Sequence, residues 1–482
     1  MEVIKKLYRL ILYSIPVISF LLHFHVFNMD LVGIHVWRQT ETQTTINNFY
    51  HEDMNILNPR FNEHPDTSRL HRMEFPVMQW LFALFYKLFG SHIIISRLLT
   101  FIIGLFSVYG MYKLCYSISH NKVVATLCGW CFNFSPVFYY YTVNPMPDNM
   151  ALCCGIWSIG HFYNYINSGK IKYVVWSAMF LCLATMSKLP FVIYASFIAT
   201  FLLMELIKKN LSFRSALKIG SIYLVCILPA AAWYVWVIPG WVIGAVHGVF
   251  DQSLNHPVIS NVIFGTLVSV LPELVVNYAS VLFFLTGFYV IYYCRLYKRR
   301  YFLPFAVWGI IIGLYFLFEM NIIDLVHDYY LFPFLPPVFI LVGYGGNYLM
   351  RRANFLKYVA LLCLILLPLT AYLRADSRWD TGKPGFNAAY YKYKDELRNL
   401  TPKDALCVVG YDESHYILLY YIDRKGWAFD KSWFDLKVLE YYISKGATYI
   451  FLDDDVENIK GVRNHLGEKV FDKETLRVYK LK

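Results

Sequence analysis

Apolar runs that approach or reach the ~20 residues needed to cross a bilayer recur from about Leu10 to Leu373. A water-soluble fold has no use for so many, because each would need its own buried interior. The pattern therefore fixes a polytopic α-helical membrane protein. Composition agrees: 57% of residues are apolar and 16% charged, against the usual ~25% charged. The first run, about 10–27, lacks a small-residue cleavage site and is followed by Asn28-Met29-Asp30. It reads as a retained span rather than a signal peptide.

Charge sets the orientation. From position 375 onward, 18 lysines and arginines balance 18 acids, so the net +11 belongs to the membrane part. There it reads as topology, not as nucleic-acid binding. Lys5, Lys6 and Arg9 precede the first span, which places the N-terminus in the cytoplasm and residues 30–76 outside. The apolar stretch 76–90 contains Lys87 and is short for a span; it suits a juxtamembrane helix that does not cross. Later spans then fall at about 94–112, 123–143, 150–168, two within 173–207, 219–238, 278–293, 301–318, 331–349 and 358–373. In this scheme of about eleven spans every cation cluster between spans lies inside, and the acids other than Glu2 and Glu205 lie outside. If 76–90 crossed, all later clusters would flip outward, against the positive-inside rule. Residues 239–276 form a second outer loop.

The division is therefore a membrane domain, 1–373, with first outer loop 30–76 and juxtamembrane helix 76–90, followed by an extracytoplasmic domain, 374–482. In the latter, 405–410 and 447–452 read as buried strands, and 386–400, 415–424 and 436–445 as helices. Alternation of this kind suggests a small α/β domain with a parallel core. Asp453-Asp454-Asp455 reads as a solvated strand-end turn. Of ten cysteines nine lie in or beside apolar spans, which predicts no disulfide framework.

Chemistry is expected where polar residues meet the outer membrane edge. The densest motif is His35-Val-Trp37-Arg38-Gln39-Thr40-Glu41, with Asp30 before it. Glu74 precedes Pro76, and Asp148 opens a span after Pro147. Arg38, Arg97 and Lys188 are cations at span ends or in that motif. A charge at membrane depth costs at least ~2.5 kcal/mol, so it pairs or works. Arginine forks match phosphate oxygens and lysine supplies a point charge, so converging outer cations suit a lipid phosphate. The bland readings are snorkelling for the cations, a helix-dipole role for Asp148, and aromatic-belt positions for His327 and Tyr329.

Six features stand in order: an acidic loop after the first span, Glu74-Phe75-Pro76, Arg97-Leu-Leu-Thr100 with Gly104, Pro147-Asp148, Ser187-Lys188-Leu189-Pro190, and Tyr329-Tyr330 before Pro333, Pro336 and Pro337. This order resembles the GT-C membrane glycosyltransferases, nearest the branch that groups the lipid A aminoarabinose transferase with protein O-mannosyltransferases. The resemblance covers roughly 1–373. It implies transfer of a hexose or pentose from a polyprenyl-phosphate-linked donor to a glycan, lipid or protein acceptor at the outer face of the cytoplasmic membrane. On this reading Arg38, Arg97 and Lys188 hold the donor phosphate. Glu41, then Asp148 and Asp30, are the catalytic acids, and His35, Trp37, Gln39, Glu74, His327 and Tyr329 line the sugar and acceptor. No metal is required, because the leaving group is a phosphate already held by cations, though an acid cluster leaves room for a divalent ion. Two departures stand out: the loop has no Asp-Glu pair, Glu41 being the nearest acid, and Leu189 replaces a glycine. The alternatives are a transporter or flippase of lipid-linked saccharides, or a non-catalytic envelope assembly subunit.

Overall fold

A computed structural model describes residues 2–241, 256–323, 327–352, 355–453, 459 and 461–482. The chain begins with α1 (Glu2–His23), α2 (Val36–His51), α3 (Val77–Phe89), α4 (Ile93–Ser119), α5 (Lys122–Asn133), α6 (Pro136–Tyr141), α7 (Pro147–Ser168) and α8 (Lys172–Ser187). It continues with α9 (Ala195–Ile207), α10 (Phe213–Val237), α11 (His256–Gly265), α12 (Tyr278–Tyr293), α13 (Phe302–Phe318), α14 (Met320–Ile323), α15 (Leu335–Met350) and α16 (Phe355–Asp376). Two compact units result. The first holds Met1–Asn28, Met73–Met78 and Arg97–Asp376; the second holds Met29–Arg72, Gln79–Ser96 and Ser377–Lys482.

In the first unit, five described helices are long and apolar enough to cross a membrane: Ile93–Ser119, Leu189–Ile207, Phe213–Gly240, Asp328–Met350 and Phe355–Asp376. Ile259–Val275 with Tyr278–Tyr293, bent by 111°, adds a sixth if the pair is one span. The remaining expected crossings fall on shorter or interrupted helices. Residues 123–143 break at Phe134 and Ser135, ahead of Pro136, and α7 carries Asp148, Asn149 and Asn164 among its apolar residues. The first span, 173–187 and 301–318 are covered by the shorter apolar helices Leu10–His23, Lys172–Ser187 and Phe302–Phe318. Of the second outer loop, 242–255 lie outside the described residues. Its remainder is largely helical, with α11 running into a π-helix at Thr266–Val275.

Hairpin α7–α8 turns at Gly169, whose φ of 68° is left-handed and free of Cβ strain in glycine. Ser158 and Ser177 each donate to the other's carbonyl, at 2.9 and 2.7 Å, which locks the two helices together.

The second unit is the larger departure from the linear division. The strands are β1 (Leu406–Gly410), β2 (Lys425–Phe429), β3 (Ala447–Asp453), β4 (Leu466–Lys473) and β5 (Leu476–Leu481). Their order is β2-β1-β3-β5-β4, parallel among the first three and antiparallel beyond. The expected β1 and β3 are present and pair in parallel. The expected helices appear as α17 (Ala388–Lys392), α18 (Lys394–Leu400), α19 (Ile417–Ile422) and α20 (Leu436–Ser444). The first outer loop packs into this domain: Leu31 and Val36 join Cys407, Val409, Tyr421, Phe451 and Val478 in one apolar core. The loop also covers the sheet edge. Gly426 of β2 donates to the Asn62 carbonyl at 3.0 Å, and His64 donates back to the Gly426 carbonyl at 3.0 Å. An unpaired edge is thereby satisfied. Thus 29–72 and 79–96 group with the tail, where the sequence assigns them to the membrane domain. Of Asp453-Asp454-Asp455, only Asp453 is described; it accepts from Asn387 at 2.5 Å.

Candidate active site

In the first unit a partly buried charged cluster forms around Lys188. Helix α8 stops at Ser187, and Lys188 is extended, with φ −160° and ψ 114°. Lys188 is also the N-cap of the following 3₁₀ turn, Leu189–Tyr194, which carries Pro190 in its first turn, where a missing N–H costs nothing. The Phe75 amide donates to the Met186 carbonyl at 3.0 Å, and the Trp233 indole to the Met73 carbonyl at 3.0 Å. These bonds hold Glu74 against the end of α8. Lys188 Nζ then lies 2.8 Å from Glu74 Oε1 and 3.8 Å from Asp148 Oδ1. Asp148 sits in the first turn of α7 behind Pro147, where the helix dipole favours an anion.

Aromatic rings close the cluster. Lys188 Nζ is 5.0 Å from the Tyr330 ring centre and 5.9 Å from that of Tyr329, a cation–π distance. Both tyrosines lie on a 3₁₀ turn, Asp328–Phe334. Asp328 is buried and accepts from the Tyr141 hydroxyl at 2.6 Å, which fixes the start of that turn. His327 stacks edge-on to both tyrosines, and its Nδ1 meets the Ile322 carbonyl at 2.7 Å. Asp324 lies outside the described residues.

Arg97, on α4, is fully buried and donates to the Val143 carbonyl at 3.0 Å and to Asn144 Oδ1 at 2.7 Å. Asn149, next to Asp148, donates to the Asn144 carbonyl at 3.1 Å. A polar chain therefore links Arg97 to the turn that carries Asp148. Gly104 explains the close approach of α4: a Cβ there would lie 2.5 Å from the Thr142 methyl.

In the second unit, the polar motif 36–51 is helix α2 rather than a loop. Its residues lack apolar periodicity, yet Arg38, Gln39, Thr40, Glu41, Thr42, Gln43, Thr44 and Thr45 are buried. Thr42 and Thr45 return their hydroxyls to the carbonyls of Arg38 and Glu41, at 2.9 and 3.1 Å. His35 is the N-cap, left-handed at φ 55°. Arg38 Nη1 meets both Glu41 oxygens at 2.6 Å, so the expected phosphate ligand and the expected base neutralise one another. Trp37 packs against the domain core, and Gln39 donates to the Ile34 carbonyl at 3.0 Å. Asp30 stands apart from Glu41. It accepts from Lys394 at 2.8 Å, the Tyr420 hydroxyl at 2.6 Å and the Leu31 amide at 2.8 Å. Burial pushes its carboxyl up, but Lys394 and Tyr420 outweigh burial and hold it below the usual range.

The structure thus gathers Glu74, Asp148, Lys188, His327 and Tyr329 in one unit with Arg97, and His35, Trp37, Arg38, Gln39 and Glu41 on one helix of the other. Asp328, Tyr330, Tyr141 and Asn144 are additions. Tyr330 stood in the late tyrosine motif and Asp328 directly before it, but nothing local marked their partners. Among the described residues no three His, Cys, Asp or Glu side chains come together to hold a metal ion.

ArnT from Cupriavidus metallidurans, in its apo state, superposes with a TM-score of 0.69 at 12% identity, over 99% of this chain and 98% of that one. The fold is that of the GT-C membrane glycosyltransferases. The same GT-C fold matches the Archaeoglobus fulgidus oligosaccharyltransferase solved with zinc and sulfate, at a TM-score of 0.62 and 14% identity, over 93% of this chain and 68% of that one. It also matches the mycobacterial arabinofuranosyltransferase AftD at a TM-score of 0.53 and 9% identity, over 99% of this chain and 40% of that one. Residues 64–236 of this chain match the sequence model of the dolichyl-phosphate-mannose-protein mannosyltransferases. No curated protein matches it by sequence.

Proposed function

We propose that the chain is a glycosyltransferase that moves a hexose or pentose from a polyprenyl-phosphate-linked donor to an acceptor hydroxyl at the outer face of the cytoplasmic membrane. The observation that carries this reading is the partly buried Lys188 between Glu74 and Asp148, beneath two tyrosine rings, in a GT-C fold. A partly buried ammonium with two carboxylate neighbours can exchange one of them for an incoming phosphate, at little change in local charge. Lys188 and Arg97 take the donor phosphate. Tyr329 and His327 supply walls for the sugar. Solved relatives support the donor class: ArnT was also determined bound to undecaprenyl phosphate, and AglB of A. fulgidus with a dolichol-phosphate.

In the reaction the bond from the sugar's anomeric carbon to the phosphate oxygen breaks and a bond to the acceptor oxygen forms. The acceptor proton passes to a carboxylate, and polyprenyl phosphate leaves with its charge held by the cations. Glu41 is our first choice of base and Asp148 the second. Asp30, fixed by three hydrogen bonds, is a clamp in this reading.

Mass spectrometry of envelope glycans and lipid-linked sugars, with and without the protein, tests the proposal. Replacement of the true base by its amide, E41Q or D148N, lowers product about 10²–10⁴-fold while donor still binds. Wild-type product levels from both variants would remove the transferase reading. A transporter would tolerate E41Q.

A further inference from the structure

A groove of about 980 Å³ runs between α12, α13 and α15 in the first unit. Phe288, Phe305 and Leu341 are among its apolar walls, and His120, Arg299 and Tyr301 gather at one end. That end lies where α13 begins, beside the basic segment 295–300. Arg299 is exposed and, among the described residues, its guanidinium makes no hydrogen bond or ion pair. Its neighbour Arg300 differs, being taken by buried Glu205, whose Oε1 accepts from Nε at 2.8 Å.

The groove follows α13 from Phe302 to Ile312, about 15 Å at 1.5 Å per residue. That is half of a ~30 Å hydrocarbon core. An apolar channel one leaflet deep, with a cation at its mouth, matches a phospholipid in shape and charge. It matches a polyprenyl chain entering from the Lys188 end poorly, since the apolar tip of that chain would meet Arg299.

We propose that this groove binds one anionic phospholipid of the leaflet facing residues 295–300, with its acyl chains along α13 and its phosphate on Arg299 and His120. Basic pockets between spanning helices hold anionic head groups in this way. The site stands independently of the sugar-transfer reading.

The full chain, purified in mild detergent after exposure to equal amounts of dioleoyl phosphatidylglycerol and dioleoyl phosphatidylcholine, is examined by native mass spectrometry. One phosphatidylglycerol is retained in preference. R299Q lowers that preference roughly fivefold, the effect of one lost interfacial charge. R295Q, whose side chain lies outside the groove lining, keeps it. A306W fills the groove and displaces the lipid with Arg299 intact. Equal retention of the two lipids, an undiminished preference in R299Q, or unchanged binding in A306W overturns the proposal.

Discussion

Asp30 and Glu41 share one stretch of sequence and carry different bonds. Asp30 is held by Lys394, Tyr420 and the Leu31 amide, whereas Glu41 answers Arg38 on its own helix. Removing one partner of a buried pair leaves the other charge stranded. D30N should therefore cost about 2 kcal/mol or more, and K394M should act in the same direction; thermal melting of the purified chain reads both. E41Q strands buried Arg38 in the same way and should also lower melting, so product formed per folded chain, rather than melting, separates clamp from base. A second residue-scale contact involves a titratable imidazole. His415 Nδ1 meets Glu63 Oε1 at 2.6 Å, and this bond outweighs burial to raise the imidazole above its ordinary value. A raised folded value gives stabilisation that is full below the unfolded value of about 6.5 and lost as pH rises through the folded one. The melting temperature of the second unit, relative to H415Q, should fall as pH is raised above neutrality. An identical profile in H415Q would assign the dependence to another group.

At the scale of elements, the two hardest pieces to foresee were α2 and the contact of α12 with α15. Helix α2 is polar along its length, so no 3.6-residue apolar stripe announced it. Its stability comes instead from burial, the Arg38–Glu41 pair and threonine bonds to carbonyls one turn back. The α12–α15 contact depends on small residues: a Cβ at Gly345 would lie 1.9 Å from the Phe283 carbonyl oxygen, and one at Gly287 2.4 Å from that of Leu341. Backbone cannot yield as a flexible side chain does. G345V should cost roughly 3 kcal/mol or more, seen as loss of a monodisperse peak in size-exclusion chromatography in detergent. The substitution G309V, where a Cβ meets nothing within 4 Å, is the control.

For the whole molecule, the decisive feature is that each unit is assembled from three separate stretches of chain. Leu31 and Val36 belong to the core of the sheet domain, and the segment 62–64 covers its β2 edge. Deletion of 377–482 should therefore do more than remove a tail. It should strip 29–72 of its core and leave that segment open to protease, read as new cleavage sites mapped by mass spectrometry. Protection equal to that of the full chain would mean that the loop folds without the sheet.

Sequence alone determined what is local. The apolar runs announced a membrane protein, and β1 and β3 were visible as short buried strands, because hydropathy and strand pattern each act over a few residues. Tertiary structure alone decided what depends on distant partners: Lys394 lies 364 positions from Asp30, and Glu74 lies 114 from Lys188. No local pattern specifies which buried charge meets which. That choice is made only when packing removes water and each ion must find its counterpart.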